Sequence, residues 1–319
     1  MMQVETATTS TSTTTTSPSN SALSPLSPRL VSICEEMNPS KRSTMEDCCV
    51  YAPEGTWDGP PDVAFLGVYD GHGGRDMVEY LEDGLQWHVA QELCCQNDDA
   101  PMATRLERAF LMADIHSEQL GVSMSGATVA MCLVKKHSTN KKDDDDSSSL
   151  RTIYAANAGD ARIVLGHEGK AQRLTHDHKP DDPVEIERIE KAGGFLFKQR
   201  VVGVLAVTRS LGDHCMKDFV IAKPYCSELE IRLPSANHFF SEEEKEGESR
   251  ESGESSSSSL PSFLILACDG LWDVLEDQQA VDMVWTHGAH DPHNVAKHLV
   301  KEALAKGSMD NISVVVAWL

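Results

Sequence analysis

The chain has 319 residues, 40% hydrophobic and 24% charged, which is long enough to bury a sizeable core and ordinary for a soluble globular protein. A formal net charge of -22 argues against a general nucleic-acid binder, because phosphate backbones repel an acidic surface. No apolar run approaches the roughly 20 residues that span a bilayer, and the Ser/Thr-rich N-terminus lacks the layout of a signal peptide. The expectation is a cytoplasmic or nuclear protein with no membrane partner. Its nine cysteines, none in a Cys-x-x-Cys pair, are expected to be reduced thiols.

Residues 1–28 are almost wholly Ser, Thr, Pro, Ala and Asn. They cannot bury enough apolar surface to offset ordering entropy, so they read as a disordered tail ahead of one domain over 29–319. Glu46-Asp47 open a run into Cys48-Cys49-Val50-Tyr51. VAFLGVYD (63–70) is a strand that ends in Asp70 before Gly71. Helical patterns follow over 74–95 and 102–120, then a strand, ATVAMCLV, over 127–134. Residues 137–149 are a polar surface insertion. TIYAANA (152–158) and ARIVLG (161–166) read as two hairpin strands around a tight turn that carries Asp160. Asp182-Pro183 start a helix over 183–192 and Gly193-Gly194 stop it. A second, acidic insertion covers 241–259. FLILACD (263–269) again ends in a carboxylate, Asp269, before a glycine, with Asp273 one helical turn further on. Helical patterns fill 276–286 and 292–306, and Asp310-Asn311 precede the last strand, ISVVVAWL (312–319).

Strands that form hairpins as well as alternate with helices favour stacked, largely antiparallel sheets covered by helices. If the strand ends share one end of such a sandwich, their acids converge into a site too anionic to be stable without cations. Oxygen ligands of this kind suit Mg²⁺ or Mn²⁺ rather than zinc or copper. One other spacing, Cys226 to Arg232, matches the Cys-x5-Arg of cysteine-based phosphatases. It is rejected, because Glu228 and Glu230 would face the anion and the segment alternates like a strand.

Arg42-Ser-Thr-Met45-Glu46-Asp47, Tyr69-Asp70-Gly71-His72-Gly73-Gly74, Ser125-Gly-Ala-Thr128 and Gly159-Asp160-Ala-Arg162 occur in that order. Asp177-His178-Lys179-Pro180, Leu205 to Asp213, Leu266-Ala-Cys-Asp269-Gly-Leu-Trp272-Asp273 and Asp310-Asn311 come after them. Together this series resembles the PPM (type 2C) metal-dependent protein serine/threonine phosphatases over nearly the whole chain. The resemblance implies an α+β fold, a central antiparallel β-sandwich flanked by α-helices on both sides in four layers. It implies two Mg²⁺ or Mn²⁺ ions and a weaker third. By position, Asp70 bridges the two main ions, Asp269 and Asp310 hold one, and Glu46 with the Gly71 carbonyl holds the other. Asp160 and Asp273, with Asp269, form the third site. Arg42 grips the substrate phosphate, His72 is the general acid, and Asp47 orients the cluster. Arg209 and Asp213 are read as structural, with no catalytic role. Phosphoserine and phosphothreonine proteins are the implied partners of a monomeric enzyme. Details around 199–215 resemble fungal-type members in stress-kinase signalling, which puts protein kinases among the partners.

Overall fold

The computed structural model describes residues 30–95, 98–137, 149–233 and 260–319. The expected tail over 1–28 and nearly all of the expected insertions at 137–149 and 241–259 lie outside the described residues. In chain order the elements are β1 (Leu30–Glu36), β2 (Cys48–Ala52), β3 (Val63–His72), α1 (Asp76–Cys94), α2 (Met102–Gln119) and β4 (Gly126–Lys136). Then come β5 (Ser149–Ala158), β6 (Arg162–His167), β7 (Lys170–Arg173), α3 (Pro183–Lys191), β8 (Leu211–Gly212) and β9 (Tyr225–Leu233). The chain closes with β10 (Phe263–Ala267), α4 (Asp269–Trp272), α5 (Asp277–Gly288), α6 (Val295–Ala305) and β11 (Ile312–Trp318). Each expected helix is present within two or three residues of its expected ends.

Two antiparallel sheets face each other. One runs β1-β11-β10-β6-β7; the other runs β2-β3-β4-β5-β9, with β8 paired to β4. Side chains of a strand alternate between faces, and here both faces are buried. On β3, Phe65 and Tyr69 pack with Met77, Leu81 and Leu85 of α1 and Phe110 of α2. Leu66 and Val68, one residue out of phase, pack between the sheets with Ile163, Leu264, Leu266 and Val315. On the far side Ile265, Val314 and Val316 meet Leu271, Val284 and Leu299 of the second helical layer. This is the four-layer α+β sandwich. Burial on both faces explains why β3, β10 and β11 read as continuous apolar runs rather than alternating ones.

The expected hairpin over 152–166 is not one. β5 pairs with β4 and β9 in one sheet, while β6 pairs with β10 and β7 in the other. The intervening turn crosses the sandwich at its end. Gly159 makes the crossing, at a φ of +107° and in a space where a Cβ would lie 2.3 Å from that of Thr128. His178 pins the same turn: its backbone N–H donates to the Gly159 carbonyl (2.9 Å), and its Nδ1 accepts from the Gly159 N–H (3.2 Å). The Cys226–Arg232 segment lies in strand β9, as the rejection of a phosphate loop there requires.

Between β7 and β9 a long excursion is organised by α3. Asp182 caps the helix, accepting from the Val184 N–H at 2.9 Å, and Gly193 ends it at a φ of +86°. Glu185, fully buried, accepts from Arg188 (2.9 Å) and Arg209 (2.6 Å). Arg188 also donates to the carbonyls of Phe219 and Thr208, and Arg209 to that of Lys223. Arg209 thus ties α3 to the segment that precedes β9. Burial alone would raise the Glu185 pKa, but hydrogen bonds from Arg209 and Arg188 override it and bring it to about 2. Removing this carboxylate leaves two arginines part-buried and unpaired. Glu185→Ala is expected to cost about 3–5 kcal/mol in urea unfolding; a loss below about 1 kcal/mol would class these pairs with exposed ones.

Candidate active site

Strand termini converge at one end of the sandwich. Cys48 of β2 pairs with Tyr69 of β3, which carries Asp47 to the level of Asp70. Ala267 of β10 pairs with Val314 of β11 on one side and Arg162 of β6 on the other. Asp269 therefore leaves β10 between the approach to β11, where Asp310 sits, and the β5–β6 turn, where Asp160 sits. Two glycines permit the close approach. A Cβ on Gly71 would lie 2.4 Å from the Glu46 carbonyl oxygen, and one on Gly270 would lie 1.9 Å from that of Asn311.

The loop before β2 is stapled to the loop before β11. The Asn311 carboxamide accepts from the Glu46 N–H (2.9 Å) and donates to the carbonyls of Met37 (2.8 Å) and Thr44 (3.0 Å). Asn38 reciprocates, donating to the carbonyls of Ser308 (2.9 Å) and Asp310 (3.1 Å). These bonds join residues more than 260 positions apart and hold Glu46 and Asp310 at one rim.

At the centre, carboxylate oxygens of Asp70, Asp160 and Asp269 all lie within 4.8 Å of one another. Burial and then the charges of Asp269, Asp47, Asp160 and Asp310 push the Asp70 carboxyl well above its usual range. Asp269 is driven up likewise by burial and by Asp160, Asp273 and Asp310. Burial also raises Asp160, although the neighbouring Lys179 pulls the other way. Burial lifts Asp47 to about 6, against the pull of the Ser313 hydroxyl and Cys268 thiol, and its buried Oδ2 has no hydrogen-bond partner among the described residues. An all-oxygen donor set with surplus negative charge and an orphaned buried oxygen fits hard divalent cations. Asp70, Asp160 and Asp269 are close enough together to share such an ion, and Asp310 lies near enough for its charge to act on Asp70.

The remaining expected residues stand around this centre. Arg42, half-exposed, bonds the Asp310 carboxylate and donates through Nε to the Met309 carbonyl (3.3 Å). His72 points Nε2 at Asp213 Oδ2, 2.8 Å away. Asp273 stays outside the central trio, with its side chain 60% exposed. The expected grouping of Asp160 with Asp273 has a lysine in it: Lys179 Nζ lies 3.4 Å from Asp160 and 3.3 Å from Asp273. Burial lowers the Lys179 pKa, but Asp160, Asp273 and Asp269 outweigh it and keep the ammonium charged. The sequence alone assigned no site role to Lys179, Asn311 or Asp213. Each lies within or beside one of the family motifs, but their partners are remote in the chain.

Known proteins resemble this chain in sequence and in fold. The family model described as protein phosphatase 2C matches residues 34–240 and 249–312. Protein phosphatase 2C homolog 1 of Saccharomyces cerevisiae is 34% identical over 91% of this chain and 93% of its own length. The Schizosaccharomyces pombe protein of that name is also 34% identical, over 94% of this chain and 76% of its own. Among solved structures, a serine-threonine phosphatase 2C from Toxoplasma gondii superposes with a TM-score of 0.67 at 21% identity, covering 90% of this chain and 94% of that one. At that identity the likeness speaks for the fold.

The acid cluster has a measurable signature. A carboxyl raised from 3.8 to about 6, as Asp47 is, keeps its proton in the folded chain where the unfolded chain has lost it. That contribution to stability is full below the lower value and is lost as pH rises through the upper one. A cation takes the proton's place, so the rise in melting temperature on adding a saturating excess of Mn²⁺, roughly 5 mM, is expected to grow between about pH 5 and pH 7.5. Comparing the same pH with and without the ion cancels titrations remote from the cluster; a gain that is flat with pH would contradict the prediction.

Proposed function

The chain belongs to the protein phosphatase 2C family and is a protein phosphatase; from that premise we propose that it hydrolyses phosphoserine and phosphothreonine monoesters at the acidic cluster, with Mg²⁺ or Mn²⁺ as cofactor. One observation carries the reading: Asp70, Asp160 and Asp269 bring their oxygens within 4.8 Å at the mouth of the sandwich, with Asp47 and Asp310 beside them. Divalent ions held there would supply Lewis-acid activation of a water and positive charge to offset that of the phosphate.

The chain's own residues do the rest. Arg42 reaches the cluster from the rim and offers a planar fork that matches two phosphate oxygens, which a lysine would not reproduce. His72 lies two residues beyond Asp70 on the same strand, so the two side chains leave the same face. As the bond from phosphorus to the seryl or threonyl oxygen breaks, that oxygen needs a proton, and His72 supplies it. Asp47 and the Asn311 staples keep the ligand loops in register, and Lys179 balances Asp160 and Asp273. Phosphorylated protein kinases fall within the substrate class, and the resemblance to fungal-type members favours them.

The roles separate experimentally. Asp269→Asn is expected to lose Mn²⁺ binding by calorimetry and activity on a phosphothreonine peptide together. His72→Ala is expected to keep the ion and lose turnover by about 100-fold or more, the scale of a general acid. Loss of the ion in the histidine variant would contradict its role; full activity in Asp269→Asn would end the proposal.

A further inference from the structure

The proton transfer assigned to His72 leaves open what fixes the ring. Resting on that assignment, we propose that Asp213 is a positioning residue that sets which ring nitrogen of His72 delivers the proton.

The pair is assembled by strand register. Gly126 of β4 pairs with His72 of β3 on one side and with Gly212 of β8 on the other. His72 and Asp213 therefore flank a residue without a side chain, and Asp213 reaches across it. A Cβ on Gly126 would lie 2.2 Å from Asp213 Oδ2 and 2.6 Å from His72 Nε2, so the contact needs a glycine there. β8 is only two residues long, and its pairing with β4 places Asp213, the next residue.

Asp213 is held on every side. Its φ of +49° is left-handed, a region where Asp and Asn are tolerated better than other side-chain-bearing residues. Its backbone N–H donates to the Ser125 carbonyl (3.1 Å). The preceding Gly212 N–H donates to Asp114 Oδ1 (2.8 Å), and Lys217 donates to the same oxygen (3.0 Å). The carboxylate itself is buried, and both Ser210 Oγ and His72 Nε2 bond its Oδ2.

A carboxylate only accepts hydrogen bonds. His72 Nε2 therefore carries hydrogen toward Asp213, and Nδ1 is the nitrogen left to serve the leaving oxygen. Without that acceptor the ring can turn and exchange tautomers, and fewer molecules present the proton in line. A side chain held in the left-handed region, buried, and shared between Ser210 and His72 beside the acid cluster is a costly arrangement for a plain surface ion pair. Asp213, read from sequence as structural only, thus acts on the reaction through His72.

The leaving group provides the test. A phosphothreonine peptide expels an alkoxide that needs a proton, whereas p-nitrophenyl phosphate expels a stabilised anion that does not. With Mn²⁺ present, Asp213→Ala is expected to lower kcat on the peptide about 10–100-fold at unchanged KM, and on the aryl phosphate less than about threefold. Asp213→Asn keeps an acceptor oxygen and tolerates the left-handed backbone, so it is expected to recover part of the loss and to fold if the alanine variant does not. In a His72→Ala background Asp213→Asn is expected to add nothing. Equal losses on the two substrates, or losses that add to that of His72→Ala, would overturn the proposal. If His72→Ala itself loses both substrates equally, the assignment of His72 fails. If His72→Ala is selective and the Asp213 variants are not, only the role of Asp213 fails.

Discussion

Like charges held together at the mouth of a rigid sandwich are the constraint on which the rest depends. Two ionised carboxylates at 4.8 Å repel by roughly 3 kcal/mol at an effective dielectric of about 20, and three or more in one site multiply the effect. A flexible scaffold would let them drift apart. Here each acid leaves a strand or turn packed on both sides, so the repulsion is balanced instead by protons, by the Lys179 ammonium and the Arg42 guanidinium, or by cations.

The scaffold can bear this load because its apolar interior is layered. Three hydrophobic clusters stack across the molecule: helices against sheet, sheet against sheet, and sheet against helices. The strands between them are close-packed on both faces and act as rigid posts. What remains adjustable is the loops, and polar staples fix those. Asn311 and Asn38 tie the two loops that carry Glu46 and Asp310, with buried amides matched to backbone carbonyls. Two close backbone approaches, at Gly71 and Gly270, complete the tie.

The excursion between β7 and β9 is polar where the sandwich is apolar. His178 pins the Asp160 turn, burial lowering its pKa to about 4 so that the ring is neutral near pH 7. Lys179, the next residue, delivers the balancing charge. Further on, the Glu185 pairs hold the segment that leads to β8 and Asp213. One stretch of chain thereby serves the acid cluster from one side and His72 from the other.

Much of this architecture is legible in the chain itself. Strands β3, β4, β5, β6, β10 and β11 and the five main helices come from local pattern, because an apolar run and the residues that bound it are neighbours in the chain. β1, β7 and β8 carry no such pattern, and β3 runs two residues past Asp70 to His72. The family resemblance named Asp70, Asp160 and Asp269 among its acids, and these three converge. Tertiary structure alone decided which contacts those residues make. It put β5 and β6 in different sheets, because Gly159 turns across the end of the sandwich rather than back along one sheet. It set Asp160 in the central trio and Lys179 between Asp160 and Asp273. It brought Asp213 to His72 across 141 positions, and Asn311 to Glu46 across 265. Sequence pattern records which side chains a strand can present; which of them meet depends on the register between strands distant in the chain, and that is settled only when the layers pack.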